Sequence, residues 1–432
     1  MKVVVINAYV RENAGDAALL SVCLRHVREA FPDADVSIAG MEAPERHADF
    51  DGCRNIGSVL RYVADGTASR PTRILRRIAV GLAASIYATA PAAVGTLAKR
   101  FLPAEAQREI QALSEADLVV SMGGGYLNAR PGLDGYQNVF FILLPALIAQ
   151  KHKVPVVFAP QSYGPFPAAV QRRFVARTLR RAALVLSRED VSVDILTACG
   201  LPADRVIRAV DSGFAFDPAT SLDWRERLGI DRTTRLVGMT ARQWLPPQEQ
   251  ERYERALAAI IDYLHARQMQ VVLIPQVTTD YLGDDDRIVS RRIHARCTNK
   301  PLLVDEVVDY RDLKRLYGEC DFLLGTRFHS VIFALTSRVP CIAIEYEHKT
   351  RGIMRDLGLE DWVLPMEDVT YERLRALIER LDEHRDRYLD QLHSVLPAYV
   401  GRAESFPELL RVLYRSDVSA TVSDGDRAVL SA

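Results

Sequence analysis

The chain has no surplus of either charge: 55 Lys+Arg stand against 56 Asp+Glu in 432 residues. A nucleic-acid binder would carry a basic excess, so that class is set aside and any anion site must come from local clustering. Cysteine is sparse and unpatterned. Cys23, Cys53, Cys199, Cys297, Cys320 and Cys341 form no C-x-x-C pair and no Cys/His ligand spacing, which points to a reducing, cytoplasmic compartment and to no metal site. Long apolar runs are missing as well. After Met1 and Lys2 the run Val3-Val4-Val5-Ile6 is shorter than a signal h-region and no small-residue cleavage site follows, so no secretion signal is read. Neither phosphate-loop signature is present. G-x-x-x-x-G-K-[ST] is absent and Gly123-Gly124-Gly125 is not G-x-G-x-x-G, which disfavours ATP hydrolysis and NAD binding.

What is there is a globular composition, 48% hydrophobic and 26% charged. At this length one core stops growing, so two domains are expected. Short β-branched runs alternate with stretches of helical period, the pattern of βα units around parallel sheets. The spacing predicts strands over 3–6, 36–39, 118–121, 154–159, 184–187 and 206–210, then a second series over 236–240, 271–274, 302–304, 322–324 and 341–344. We therefore expect an α/β protein with domains over 1–216 and 217–415, a linker over 217–231, a helical insertion over about 61–101 and a loose tail over 416–432.

That insertion is unusual. No charged residue lies between Arg77 and Lys99, and both flanks are basic. Two packed helices interrupted at Pro91 are one reading; peripheral contact of residues 73–100 with an anionic membrane surface is the other.

Five motifs sit just after predicted strands, where open α/β sheets bind ligands. Asn13-Ala14-Gly15-Asp16 opens a helix and is either an ordinary turn with an N-cap Asp or a ligand loop. The run Gly123, Gly124, Gly125 requires close approach of its backbone to another element or to a phosphate. Arg188, in Ser187-Arg188-Glu189-Asp190, and Arg242, after the first strand of the second series, are either surface ion pairs or a phosphate clamp. Gly325-Thr326-Arg327-Phe328-His329-Ser330 puts an arginine and a histidine at a helix start, and Glu345-Tyr346-Glu347-His348-Lys349 sets a lysine at the same sheet edge. Asp284-Asp285-Asp286 is read as a solvated loop or helix N-terminus rather than a metal site.

In this order, together with Pro160-Gln161-Ser162-Tyr163-Gly164-Pro165, these motifs resemble the polysaccharide pyruvyl transferases over about residues 3–364. Residues Ala14 and Gly15, the Glu189 position and the 61–101 insertion depart from the family's usual pattern. The resemblance implies two Rossmann-like domains facing a cleft in the GT-B type arrangement, with phosphoenolpyruvate as donor, a glycan or lipid-linked glycan diol as acceptor and no further cofactor. It implies Arg327 and His329 as the catalytic pair and Arg188 and Lys349 as phosphoenolpyruvate contacts. Arg242, Gly15, Asp16, Gly123, Gly124, Gly125 and Ser330 complete the expected binding set. His329 is the expected proton carrier, because imidazole titrates near neutrality. A GT-B glycosyltransferase using a nucleotide sugar and a non-catalytic glycan-binding subunit are the rival readings.

Overall fold

In the computed structural model, which describes residues 1–8, 11–42, 48–59, 70–279 and 284–418, the N-terminal apolar run is strand β1 (Lys2–Ala8). Val3, Val4, Val5 and Ile6 are each at most 2% exposed. β1 lies between two parallel neighbours, β2 (Asp35–Gly40) and β5 (Leu118–Ser121). A strand in that position is covered on both faces, which is why its apolar residues run continuously instead of alternating. β3 (Asp49–Phe50), β4 (Cys53–Asn55), β6 (Gly124–Leu127), β7 (Val156–Tyr163), β8 (Leu184–Ser187) and β9 (Ile207–Arg208) complete this sheet. The order is β3-β4-β2-β1-β5-β7-β8-β9, with β6 beside β7 and only the β3–β4 pair antiparallel.

The second sheet is wholly parallel. It comprises β10 (Arg235–Thr240), β11 (Met269–Leu273), β14 (Leu302–Leu303), β15 (Phe322–Gly325), β16 (Cys341–Glu345) and β17 (Val363–Pro365), in the order β14-β11-β10-β15-β16-β17. Its chain order grows outward one way from β10, then reverses at β15, which is Rossmann winding with its switch point between β10 and β15. A short antiparallel ribbon, β12 (Thr278–Thr279) with β13 (Asp284–Asp285), precedes the Asp286–Arg296 helix. Two Rossmann-like units are the pair that a GT-B type fold is made from, as expected from the sequence.

The units are not contiguous in sequence. One comprises 1–10, 19–212 and 402–432; the other comprises 11–18 and 213–401. This differs from the expected 1–216 and 217–415 for a physical reason at each end. The presumed linker is built into the second unit: Trp224 is fully buried and its indole N–H donates to the Asp312 carbonyl at 2.7 Å. At the other end, the helix Phe406–Val418 belongs to the first unit, where Arg25 grips Glu404 at 2.8 and 3.0 Å and Phe31 meets Tyr414 edge-on. The tail expected from 416 is therefore helical to Val418; 419–432 lie outside the described residues. Within the expected insertion, Arg70–Thr89 and Ala92–Lys99 are helices, and 60–69 lie outside the described residues.

One buried carboxyl in the first unit gives its stability a pH dependence. Glu109, 1% exposed, accepts from the Val59 amide at 2.6 Å and from the Ser58 hydroxyl at 3.0 Å. Burial outweighs both bonds and pushes it up to about 7 from an ordinary 4.5. The folded state thus holds this proton more tightly than the unfolded chain. Its contribution is complete below pH 4.5 and lost as pH rises through about 7, on the order of 3 kcal/mol in all. Glu109→Gln should flatten the decline, so that melting temperatures at about pH 5 and about pH 8 lie closer together in the variant than in the native protein.

Candidate active site

The switch point of the second sheet is tied together by one hydroxyl. Thr240, the last residue of β10, accepts from the backbone amides of Thr326 at 2.8 Å and Arg327 at 3.2 Å, which follow β15. It also shares a 3.0 Å hydrogen bond with Ser330, whose hydroxyl donates to the Arg327 carbonyl at 2.6 Å. The turn from β15 into the Phe328–Thr336 helix is thereby fixed. Ser330, expected at the binding surface, is fully buried and serves this turn.

Arg327 occupies the N-cap position of that helix and is 6% exposed. Its Nε donates to Asp286 at 2.9 Å, and its Nη2 reaches both Asp286 and Asp284 at 2.6 Å. Asp286 in turn accepts from the Gln276 and Val277 amides at 3.1 and 3.0 Å. Burial pushes the Asp286 carboxyl above the usual range against the pull of Arg327, whereas Arg327 and Arg242 hold the half-buried Asp284 below it despite its burial. Of the two readings of the triple aspartate, the helix start is the one observed. Asp285 accepts from the Arg287 amide, while Asp286 is 2% exposed and not solvated at all. The Arg327 guanidinium is matched to two carboxylates, and these bonds brace the loop that carries His329.

His329 lies in the first turn of the Phe328–Thr336 helix, half-buried, with Phe328 edge-on at 5.1 Å and Phe333 at 6.5 Å. Gly15 lies directly against it. A Cβ on Gly15 would fall 2.1 Å from His329 Nδ1, so only glycine lets this backbone pass the imidazole. Residues 11–18 are held here by the Ala14 amide to the Gln276 carbonyl at 3.1 Å and the Thr278 amide to the Glu12 carbonyl at 2.8 Å. The N-cap is Asn13, not Asp16: Asn13 Oδ1 accepts from the Gly15 and Asp16 amides at 3.1 and 3.4 Å, and its side-chain amide donates to Asp16 at 2.7 Å.

From His329 outward, cations and rings alternate. Lys349, at the start of the His348–Asp356 helix after β16, stands 5.3 Å from the Phe328 ring and 5.7 Å from that of Tyr346, with Glu347 at 2.7 Å. Arg242, after β10, lies between Tyr346 at 4.4 Å and Trp244 at 4.6 Å, and 3.6 Å from Asp284. The Arg242 Nε–H is buried and has no hydrogen-bond partner among the described residues. The ends of β10, β15 and β16 thus bring Arg242, His329 and Lys349 into one cluster, with Gly15 beside the histidine and Asp16 bonded to Asn13. Trp244 lies outside the sequence motifs, and Tyr346 is in one of them only as a neighbour of Lys349. Their signal was the aromatic residue two positions after Arg242 and three before Lys349.

The remaining expected residues belong to the first unit. Arg188 does not point into open space: it is 1% exposed, its Nη1 meets Asp211 at 2.5 Å and its Nε donates to Ser162 at 2.8 Å, with Glu189 3.4 Å away. A buried guanidinium requires such partners, and here the chain supplies them. The glycine run is explained by another strand. A Cβ on Gly123 would lie 2.5 Å from the Pro160 carbonyl oxygen, Gly124 has φ +152°, and Gly124 and Gly125 open β6 alongside β7. Among the described residues one group has metal-ligand geometry, His26 with Glu29 and Glu404. Arg25 already bridges both of these carboxylates, at 2.9 and 2.8 Å, which makes the group an ion-pair network anchoring residues 402–418.

A model of the family described as polysaccharide pyruvyl transferase matches residues 13–348. The amylovoran biosynthesis protein AmsJ of Erwinia amylovora is 27% identical over 276 residues, covering 60% of this chain. The match spans 64% of AmsJ, slightly under two thirds of that relative's length. Among solved structures, S. aureus MnaA with UDP superposes with a TM-score of 0.59 at 12% identity, over 98% of both chains. A UDP-N-acetylglucosamine 2-epimerase, described as putative, from Listeria monocytogenes gives 0.58 at 13%, over 98% of this chain and 97% of its own. Anabaena HepE with UDP-glucose gives 0.53 at 14%, over 97% and 100%. At these identities the likeness shows the fold alone.

Proposed function

The chain belongs to the polysaccharide pyruvyl transferase family, and from that premise we propose that it moves pyruvate from phosphoenolpyruvate to a diol of a glycan, closing a pyruvate ketal. The observation that supports this most is the clustering of Arg242, His329 and Lys349 at three neighbouring strand ends, with one buried donor of Arg242 unmatched. Two cations suit a donor that carries both a carboxylate and a phosphate.

His329 gives its proton to the donor's methylene, making it a methyl group and leaving positive character on the central carbon. One sugar hydroxyl adds there and returns its proton to the imidazole. The carbon–oxygen bond to phosphate then breaks, with Lys349 and Arg242 offsetting the charge on the departing group. The second hydroxyl closes the ring, and its proton leaves with phosphate. AmsJ, by its name, acts in amylovoran biosynthesis, which supports an exopolysaccharide or lipid-linked glycan as acceptor.

A titration tests this directly. Purified protein should bind phosphoenolpyruvate and release phosphate when offered glycan acceptors, and Lys349→Met should weaken binding about tenfold or more. Binding of UDP-sugars with none of phosphoenolpyruvate would replace pyruvyl transfer by glycosyl transfer.

A further inference from the structure

The Arg70–Thr89 and Ala92–Lys99 helices are apolar on two sides. Their inner side is accounted for: Val80, Ala84 and Tyr87 are buried, a Cβ on Gly81 would lie 3.0 Å from Phe141, and the Tyr87 hydroxyl meets His152 at 2.9 Å. On the outer side Leu75, Ile78 and Leu82 are 69, 57 and 61% exposed, and Val94, Leu97 and Phe101 are 51, 56 and 77% exposed. Leu75, Ile78 and Leu82 have the spacing i, i+3, i+7 and form one stripe along the first helix, and Val94 and Leu97 share a face of the second, with Phe101 in the turn that follows it. Clustered exposure of this kind marks a contact surface.

Charge identifies what it contacts. Residues 66–104 contain no Asp or Glu, while the same stretch of sequence carries Arg70, Arg73, Arg76, Arg77, Lys99 and Arg100. A second copy of the chain would bring an identical set of cations against them across a twofold axis, which is repulsive. No described helix is long and apolar enough to cross a membrane. We propose that this helix pair lies on an anionic lipid surface, with the exposed apolar residues in the acyl boundary and the basic ones among acidic headgroups. The assignment is independent of which reaction the second unit performs.

Flotation with vesicles tests it. The protein should rise with vesicles containing about 30% phosphatidylglycerol and stay down with pure phosphatidylcholine, and high salt should reduce the partition. Leu82→Asp/Leu97→Asp and, separately, Lys99→Glu/Arg100→Glu should each lower binding about tenfold or more at unchanged melting temperature. The proposal fails if neither vesicle type is bound, if neutral vesicles bind equally well, or if the folded variants float like the native protein. It also fails if the native protein is an oligomer that the apolar variant turns into monomer, since the stripes would then face a protein.

Discussion

His329→Ala should lower phosphate release with an acceptor glycan by about 10²- to 10⁴-fold, the range of a lost general acid and base. Phosphoenolpyruvate binding and the melting temperature should change little. The ring is half-buried against Phe328 and Phe333, and the turn that carries it is held by the hydrogen bonds among Thr240, Ser330 and Arg327, which its removal leaves in place. Single-turnover phosphate release beside equilibrium binding makes the separation visible. Turnover within a few-fold of the native protein would remove His329 from the proton-carrying role and leave the ketal mechanism without an acid.

Arg327→Met should have the largest effect on stability. It leaves Asp286, which is 2% exposed, without its guanidinium, and breaking a buried pair from one side costs about 3–5 kcal/mol. The loss should depend on pH. Burial already pushes the Asp286 carboxyl upward while Arg327 opposes it, so in the variant the carboxyl rises further. A raised carboxyl stabilises the fold while protonated and loses that contribution as pH increases. The variant should therefore melt closest to the native protein under mildly acidic conditions, and Arg327→Met/Asp286→Asn should recover part of the loss at neutral pH. Melting temperatures across pH for all three proteins check this; an Arg327→Met melt parallel to the native one would mean that Asp286 is not the group left exposed to burial.

Much of the fold was legible because a parallel strand covered on both faces reads as a continuous apolar run. Val3 to Ile6 and Phe322 to Leu324 are such runs. β6 was not legible, since glycines have no strand preference of their own and the segment is a strand through its pairing with β7, a partner at long separation. The clustering of Arg242, His329 and Lys349 followed from their places after β10, β15 and β16, each one position class along a wound sheet. Partners at long separation did not follow. Arg188 looked like a ligand for an anion because nothing local reveals Asp211, and Arg327 looked available because Asp284 and Asp286 appeared to be solvated.

The chain's path between its units also bears on how the protein is made. Residues 11–18 leave the first unit for the second, and 402–418 come back to the first. During synthesis the N-terminal sheet can form early, yet the glutamate that Arg25 grips is Glu404, 379 residues further along the chain. The segment that lies against His329 must likewise wait for more than 300 residues before its partner exists. Neither unit can be completed in the order in which it emerges from the ribosome, and a cut near residue 216 would yield two fragments each lacking a piece the other carries.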